Sequence, residues 1–533
     1  MDVSAVLRRL AKKRPCYYHL HILYFVGLSL LGALLLRSFG TREGSTHSHL
    51  SFLDCFYTAV SAMCLSGLSS IQIEDIPAPG QVLVMVLMVL GGQVLSLVVP
   101  LLVKKHRYCK IARMALRPRV KSKSLFESLY RTLCLRSNDD LWLESLAFRP
   151  NLPESFKVVF LEHQAICHLA DIVVWYLLAV HLLGFVVAWI SIQCSSNAKS
   201  VLESKTINPG FFALFATISA FNNVGFVLTN ENLVAFNTNS VLLLDLGLVI
   251  LLGNTLFPVA LRGILWLVHR YTTGTKKEVY TLLLEHPRKY YLHLFPKTAT
   301  LWLLLAVTGS NALGGLIFCA LDWNNEALDG LRPGEKLVNG LFQAFSTRSG
   351  GMNSLNLVEL SQAMLFFYCV MMYIKPYPVL LRGEQSREDD TTLLTQSRRN
   401  LANDNTFLFL LVVFISISLN SQMEKDPRNF NLFAILFEVA SAYGCVGLTL
   451  GYSCNLRLQP GHCKDTTLSF SGTWNAPGKM FIIAVMFIGR HRDLPHHIDS
   501  TTDMEKISRL SRRPSFIALT QPPVVVPEST PPV

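Results

Sequence analysis

Four short, glycine-bearing segments repeat along this sequence of 533 residues. They read YTAVSAMCLSGLSS at 57–70, FATISAFNNVGFVL at 215–228, FQAFSTRSGGMNSL at 342–355 and FEVASAYGCVGLTL at 437–450. An aromatic residue stands ten positions before a glycine in three of them, and nine positions before it in the third segment. A fourfold internal repeat of this kind indicates one structural unit that is used four times.

The chemistry that such segments suit is the coordination of a cation by backbone carbonyl groups. An ion that leaves water needs oxygen ligands in place of its hydration shell, and rings of backbone carbonyls supply them in potassium channels. Glycine adopts the unusual φ/ψ values that such a ring requires at the least cost. A short helix that ends beside the site also presents its negative C-terminal end to a cation. One chain with four such units is therefore able to close a pore by itself.

Two alternatives compete with a pore. Single glycines are common packing sites in transmembrane helices, and for one isolated loop this explanation is as good as a filter. Four loops in register favour the filter. Transporters with inverted repeats and broken helices have two interrupted segments in two halves, whereas this sequence offers four segments in parallel orientation.

Long apolar stretches surround the four segments and predict a polytopic membrane protein. The composition is 51% hydrophobic and 16% charged, against about 25% charged residues in soluble domains. The predicted spans are 18–37, 81–103, 168–192, 240–268, 298–321, 360–382, 405–421 and 474–490. The net charge of +12 lies mainly in loops between apolar blocks, which indicates membrane orientation and argues against nucleic-acid binding.

The fold class predicted from these patterns is an all-α polytopic membrane protein with four repeats of transmembrane helix, pore loop and transmembrane helix around one central pore. Basic connectors and the positive-inside rule place both termini in the cytoplasm. The predicted segments are a cytoplasmic N-terminus (1–17), repeats at 18–103, 159–268, 298–382 and 405–490, cytoplasmic loops at 104–158, 269–297 and 383–404, and a disordered cytoplasmic tail (491–533).

Several motifs resemble those of the plant high-affinity potassium transporters, a branch of the superfamily that includes the bacterial Trk and Ktr potassium uptake proteins. The motifs are SGLSS at 66–70, SAFNNVGFVLTNEN at 219–232, STRSGG at 346–351, SAYGCVGLTLGYSC at 441–454, LGNTLFP at 252–258, MMYIKPYP at 371–378 and GKMFIIAVMFIGR at 478–490. The resemblance covers nearly all of the region from 20 to 490.

The resemblance implies a plasma-membrane transporter of Na⁺ and K⁺ that works in the lipid bilayer as a homodimer, without a cofactor. The sequence has no nucleotide-binding glycine loop, no Walker pattern and no Ser/His/Asp arrangement, so an enzymatic function is not expected. By position, it implies a selectivity filter made of four glycines and the residue before each: Gly67, Gly225, Gly351 and Gly447, with Ser66, Val224, Gly350 and Val446. Family members with serine at the first glycine tend to select sodium, so Gly67 implies that K⁺ passes as well.

Other functions also stay open from the sequence. The chain is compatible with a sodium-selective uniporter, with a potassium-uptake subunit that needs a cytoplasmic nucleotide-binding partner, and with a membrane scaffold that transports nothing. Departures from the family pattern at Cys445, Gln93, Gly350 and Met352 leave the ion preference open.

Charged residues near the predicted pore are functional candidates because charge at membrane depth is costly. Arg348 lies three residues before Gly351 and is interpreted as a structural anchor rather than as a charge that tunes the filter. Lys479 and Arg490 bracket the last span, where the resemblance links positive charge to ion flux; the alternative is interfacial snorkelling.

Acidic residues and cysteines lie near the predicted mouth of the pore. Glu74, Asp75 and Glu231 are expected to concentrate cations there, although exposed acids are common. Cys454 and Cys463 share a loop and are candidates for a disulfide if the loop faces an oxidising compartment.

Overall fold

The described part of the chain is helical. The computed structural model describes residues 17–41, 50–92, 98, 101–102, 105, 154–291, 293–374, 408–453 and 468–492. Within these ranges the regular elements are α-helices and 3₁₀ turns, without a β-strand. The helices are α1 (Tyr17–Phe39), α2 (Phe52–Cys64), α3 (Ala78–Gly91), α4 (Glu154–Cys194), α5 (Ser196–Ser204), α6 (Pro209–Asn222), α7 (Ser240–Gly253), α8 (Phe257–Tyr271), α9 (Thr275–Glu285), α10 (Pro287–Tyr290), α11 (Lys297–Leu321), α12 (Pro333–Thr347), α13 (Gln362–Tyr373), α14 (Leu408–Ser418), α15 (Asn420–Lys425), α16 (Leu432–Gly444) and α17 (Ala476–His491).

The chain divides into two compact units. The larger comprises residues 1–96, 176–263 and 297–494, and it holds all four glycine-bearing loops. The smaller comprises residues 97–175, 264–296 and 495–533. Inside the smaller unit the Lys105 ammonium lies 2.8 Å from the Asp171 carboxylate.

Four copies of one unit make up the larger part of the fold. Each repeat has a first helix, a pore helix, an extended return, a 3₁₀ turn and a second helix. The first helices are α1, α4, α11 and α14; the pore helices are α2, α6, α12 and α16; the second helices are α3, α7, α13 and α17. The turns lie at Ile73–Asp75, Val234–Phe236, Leu357–Glu359 and Phe470–Thr473. The predicted fold class is confirmed, and the 3₁₀ turn is an added feature of every repeat.

Side-chain caps explain where many of these helices begin. Asn208 accepts hydrogen bonds from the Gly210 and Phe211 N–H groups at the start of α6, and Asn431 accepts one from Ala434 at the start of α16. Asn239, Ser361 and Asn475 cap the second helices of repeats 2, 3 and 4 in the same way. Asparagine and serine at these positions satisfy N–H groups that have no partner within the helix.

Among the described residues, three helical segments are long and apolar enough to cross a membrane: His19–Phe39, Leu161–Cys194 and Lys297–Leu321. The predicted span 240–268 is instead two helices, α7 and α8, that meet at an angle of 81°. Asn254 leaves helical geometry with φ −135° and ψ −91°, and Pro258, which cannot donate an N–H bond, is the second residue of α8. The predicted span is therefore broken between α7 and α8.

The second helix of each repeat packs against the pore helix of the next repeat. Thus α3 contacts α6, α7 contacts α12, and α13 contacts α16. The second helix of repeat 4, α17, contacts the first pore helix, α2. This cyclic order closes the four repeats around one axis. Each pore helix is supported from two sides because all four second helices, α3, α7, α13 and α17, also contact the pore helix of their own repeat.

A glycine at the fourteenth residue of three second helices lets them touch the neighbouring backbone. A Cβ atom on Gly91 would lie 2.1 Å from the Met63 carbonyl oxygen. On Gly253 it would lie 1.8 Å from the carbonyl oxygen of Phe221, and on Gly489 it would lie 2.4 Å from that of Tyr443. These carbonyls belong to the penultimate residues of α2, α6 and α16. The second helices therefore press directly on the C-terminal ends of the pore helices.

We expect Gly253→Ala to destabilise the protein, because its methyl group has no room beside Phe221 and overpacking of this kind costs about 1–3 kcal/mol. Gly309→Ala is the matched control, since Gly309 is helical and has no neighbour within 4 Å. That control should gain up to about 1 kcal/mol from helix propensity. Thermal unfolding of the purified variants measures both effects. Equal melting temperatures for the two variants would contradict the close packing.

Candidate functional site

Three of the four pore helices end in a left-handed residue that is not glycine. These residues are Leu65, Asn223 and Cys445, with φ values of 60°, 57° and 52°. After each of them the chain turns back, and the next N–H group donates to the carbonyl of Ser61, Ser219 or Ser441 at 2.9–3.1 Å. A non-glycine residue in this region is uncommon and strained. The strained turn reverses the chain two residues before Gly67, Gly225 or Gly447.

The third pore helix ends differently. Its last residue is followed by Arg348 with φ −83°, and the Gly350 and Gly351 N–H groups both donate to the Ser346 carbonyl. The Ser346 hydroxyl donates to the Met352 carbonyl at 2.5 Å, whereas Ser441 accepts from the Gly447 N–H group at 3.1 Å. The shorter interval in the third sequence segment thus corresponds to a different helix end.

The four glycines singled out in the sequence meet in one ring. Gly67, Gly225, Gly351 and Gly447 all have positive φ, with values of 68°, 95°, 65° and 104°. A Cβ atom on Gly67 would lie 1.9 Å from the Val224 carbonyl oxygen, and one on Gly351 would lie 2.0 Å from that of Val446. Side chains rarely adopt this φ, and here they also have no space. Glycine is therefore required at each of these two positions for two reasons, the positive φ and the lack of space for a side chain.

The carbonyl groups before the glycines complete the ring. The Gly350 oxygen lies 3.0 Å from the Cβ position of Gly225, and the Ser66 oxygen lies 2.9 Å from that of Gly447. Loop 1 therefore contacts loops 2 and 4, loop 2 contacts loop 3, and loop 3 contacts loop 4. Ser66, Val224, Gly350 and Val446 each place their carbonyl group against a glycine of another loop.

A cavity of about 510 Å³ opens at one side of this ring. Three ring glycines, Gly67, Gly225 and Gly447, form part of its wall. Polar residues from all four repeats line the rest, among them Ser69, Thr229, Asn353 and Thr449. The non-helical backbone of the ring thus lies beside a polar cavity, the setting in which such backbone is tolerated at membrane depth.

Lys205 neutralises acidic residues at this mouth. Its ammonium lies 3.0 Å from Glu74 and 2.8 Å from Glu231, a residue of the cavity wall. Burial alone lowers the pKa of Lys205, but the hydrogen bonds that its ammonium donates to Glu231 and Glu74 outweigh burial, so the pKa is raised. The sequence predicts that these acids concentrate cations; the structure shows two of them shared by one lysine. The sequence does not reveal this role of Lys205, because a single lysine before α6 is too weak a signal.

The structure gives each of the three basic candidates a local partner. Arg348 is half-buried and donates from Nη1 to the Ser310 hydroxyl on α11 at 2.7 Å. Lys479, in the first turn of α17, lies 2.6 Å from the Asp54 carboxylate in the first turn of α2. Arg490 donates to the Gly91 carbonyl, and its guanidinium lies 5.5 Å from the Phe25 ring centroid. Asp54, which sequence analysis missed, is thus the partner of Lys479.

Some sequence candidates fall outside the described residues. Cys454, Cys463 and Gln93 are among them, so the predicted disulfide stays a prediction. Within the described ranges, no group of three or more His, Cys, Asp or Glu side chains is placed to hold a metal ion.

The fold and the ring together define a helical, multi-pass membrane protein with four pore loops in one chain. The model of the TrkH family, described as "Cation transport protein", matches residues 160–381 and 395–509. The chain belongs to this family of cation transport proteins, whose members are transporters and not enzymes.

Similar proteins come from plants and fungi. The chain is 32% identical to the "Sodium transporter HKT1" of Arabidopsis thaliana, covering 82% of this chain and 86% of that one. It is 31% identical to the "Cation transporter HKT1;3" of Oryza sativa subsp. japonica, with 88% of both chains covered. It is 32% identical to the "Potassium transporter TRK1" of Candida albicans, over 64% of this chain and 33% of that one.

A solved structure is also similar. It is the crystal structure of the potassium transporter TrkH from Vibrio parahaemolyticus, which gives a TM-score of 0.47 at 12% identity and covers 95% of this chain and 86% of that chain. The family resemblance predicted from the sequence is confirmed by the family match and by the plant relatives.

We expect Lys479→Met to lower the thermal stability of the protein by leaving the Asp54 carboxylate unpaired. The two side chains are 13% and 24% exposed, so the loss should lie between those of surface and buried pairs, at about 1–2 kcal/mol. Adding Asp54→Asn to Lys479→Met should recover part of the loss, because the orphaned charge is then gone. Thermal unfolding of the single and double variants measures this, and simple addition of the two losses would contradict a direct pair.

Proposed function

We propose that this protein passes Na⁺ and K⁺ through a single filter built from the carbonyl groups of Ser66, Val224, Gly350 and Val446 and the glycines that follow them. One observation carries the proposal: each of these carbonyls lies against a glycine of another loop, so that all four loops contribute to one ring. Carbonyl oxygens suit both ions, and a helix end lies behind each loop. Similar proteins are named for sodium, potassium or unspecified cation transport, which supports both ions.

The proposal includes the setting of the transporter. The protein acts in the plasma membrane with both termini in the cytoplasm and the mouth cavity outside, and it assembles as a homodimer. The basic connectors predicted to be cytoplasmic support this orientation by the positive-inside rule. Arg348 serves as an anchor that holds α12 against α11, since its guanidinium bonds to Ser310. Lys479 anchors the start of the first pore helix through Asp54.

Two-electrode voltage clamp of cells that express this chain alone tests the function. A tenfold change of external Na⁺ or K⁺ should move the reversal potential, by up to about 59 mV for a perfectly selective monovalent current. Cells that express a chain with Gly351→Arg, which fills the ring, serve as the control for endogenous currents. A reversal potential that follows neither ion would overturn the proposal. Activity that appears only with a nucleotide-binding partner would favour the alternative potassium-uptake subunit.

We expect Gly67→Ser to shift the permeability ratio toward Na⁺. A Cβ atom at this position would lie 1.9 Å from the Val224 oxygen at a φ of +68°, so the ring must rearrange and narrow its choice of ion. Gly330→Ser is the matched control, because Gly330 also has positive φ but has nothing within 4 Å. Reversal potentials in mixed Na⁺ and K⁺ solutions measure the ratio. An unchanged ratio in Gly67→Ser, or an equal shift in the control, would reject the role of Gly67.

A further inference from the structure

One carboxylate, Glu438, is fully buried behind the fourth loop. It lies on the pore helix α16, one residue after Phe437. Its Oε1 accepts hydrogen bonds from the Ser471 N–H group at 2.9 Å and from the Ser471 hydroxyl at 2.6 Å, and its Oε2 accepts one from the Thr449 hydroxyl at 2.8 Å. A buried charge is costly unless its oxygens are satisfied. Here both oxygens are satisfied, and their donors lie on two separate segments.

The direction of the hydrogen bonds follows from the number of protons. The Ser471 hydroxyl donates to Glu438, so Tyr57 of the first pore helix must be the donor in its 2.6 Å bond to Ser471. The Thr449 hydroxyl likewise donates to Glu438, and its oxygen accepts from the Phe470 and Gly451 N–H groups. Every member of the network therefore has one consistent role.

The segment Ser469–Gly472, which we call the strap, joins this network to the first loop. Ser69 and Ser469 exchange two hydrogen bonds: the Ser69 N–H group donates to the Ser469 hydroxyl at 2.7 Å, and the Ser469 N–H group donates to the Ser69 carbonyl at 3.1 Å. A Cβ atom on Gly472 would lie 2.8 Å from the same carbonyl oxygen. The strap thus lies directly against the first return segment.

The strap contacts loops 1 and 4 at equivalent positions. Ser69 lies two residues after Gly67, and Thr449 lies two residues after Gly447. The strap bonds to Ser69 on one side and, through Phe470 and Glu438, to Thr449 on the other. A rigid polar link therefore spans loops 1 and 4 just beyond the ring.

In the described part of the chain, no other loop has an acidic residue at the position of Glu438 with such a hydrogen-bond network. The residues that correspond to Glu438 in the first three loops are Thr58, Ala216 and Gln343, none of them acidic. Within the described residues, the Thr58 hydroxyl and the Gln343 amide atoms make no hydrogen bond. The link is thus specific to the contact between loops 4 and 1, where Gly67 also lies.

We propose that Glu438 is a positioning residue that, through the strap, fixes the spacing of filter loops 1 and 4 and thereby limits the size of the ion that passes. The inference rests on the filter of the proposed function. If this link is broken, loops 1 and 4 lose the polar bonds that join them just beyond the ring, while the Asp54–Lys479 and Gly91–Arg490 contacts remain at the helix ends. The carbonyls on this side of the ring then yield to larger ions. Discrimination between ions of different size should then weaken.

Glu438→Gln and Tyr57→Phe test the proposal from the two ends of the network. Glutamine keeps the size but presents an NH₂ group to Thr449, whose oxygen already accepts two bonds; one bond of the network must break. Phenylalanine removes only the Tyr57 hydroxyl. We expect each variant to raise the permeability of Rb⁺ and Cs⁺ relative to K⁺ by about threefold or more, a change within the range of coupling free energies in one hydrogen-bond network. The double variant should shift no further than the larger single shift.

Thr58→Val is the matched control, since it removes a pore-helix hydroxyl beside Tyr57 that makes no hydrogen bond among the described residues. Its permeability sequence should equal that of the unaltered protein. If Glu438→Gln does not reach the cell surface, Tyr57→Phe and Ser471→Ala carry the test. Permeability ratios do not depend on the amount of protein, so a loss of expression alone leaves them unchanged.

The outcomes separate this inference from the function on which it rests. Absence of any Na⁺ or K⁺ current in the unaltered protein would overturn the filter itself. A selective current that keeps its permeability sequence in Glu438→Gln, Tyr57→Phe and Ser471→Ala would overturn the role of Glu438 and leave the filter standing. Additive shifts in the double variant would show two independent effects and would also contradict a single link.

Discussion

The contact of backbone with backbone at the glycine ring is the constraint that shapes the rest of this structure. Four loops meet where a Cβ atom on Gly67 or Gly351 would lie within 2.0 Å of a carbonyl oxygen. Such an approach is only possible without side chains. It also needs pore helices whose ends are held in place, and Gly91, Gly253 and Gly489 allow the second helices to touch those ends directly. Close backbone contacts thus form two tiers. The first is the glycine ring, and the second is the contact of the second helices with the pore-helix ends, which supports the ring.

Much of this arrangement follows from the sequence, because it is repeated. An aromatic residue, a serine and a glycine at fixed intervals identify the four loops, and apolar stretches identify the helices around them. The fold class and the family are confirmed for that reason. The glycines of the second tier also have a sequence signal, since each is the fourteenth residue of its helix. The signal becomes visible only when the helix starts are known, and helix starts are poorly determined by apolar pattern alone.

Other features escape sequence analysis because they depend on residues far apart in the chain. The break between α7 and α8 lies inside an apolar stretch that looks continuous, and only Asn254 and Pro258 hint at it. Lys479 pairs with Asp54, and Lys205 pairs with Glu74 as well as with Glu231; Asp54 and Glu74 lie on another repeat than their lysine, which no local spacing reveals. Glu438 occurs in the segment FEVASAYG and looks like a polar residue on a helix face, yet its donors Thr449 and Ser471 lie 11 and 33 residues away.

Polar bonds concentrate where the ring has to close on itself. Repeats 4 and 1 stand at opposite ends of the chain, so no short connector holds them together. Their contacts join residues about 400 positions apart: Tyr57 with Ser471, Ser69 with Ser469, Asp54 with Lys479, and Gly91 with Arg490, at separations of 414, 400, 425 and 399. Closing such long loops costs more chain entropy than closing short ones. Charged and hydrogen-bonded pairs with fixed geometry offset that cost, and they also give this contact a register that apolar packing alone would specify less strictly.

The same contact borders Gly67, the glycine on which the family resemblance makes ion preference depend. The other three sides of the ring are contacts between consecutive repeats. At the contact of repeats 4 and 1, we therefore expect the stability of the contact and the ion preference to be coupled.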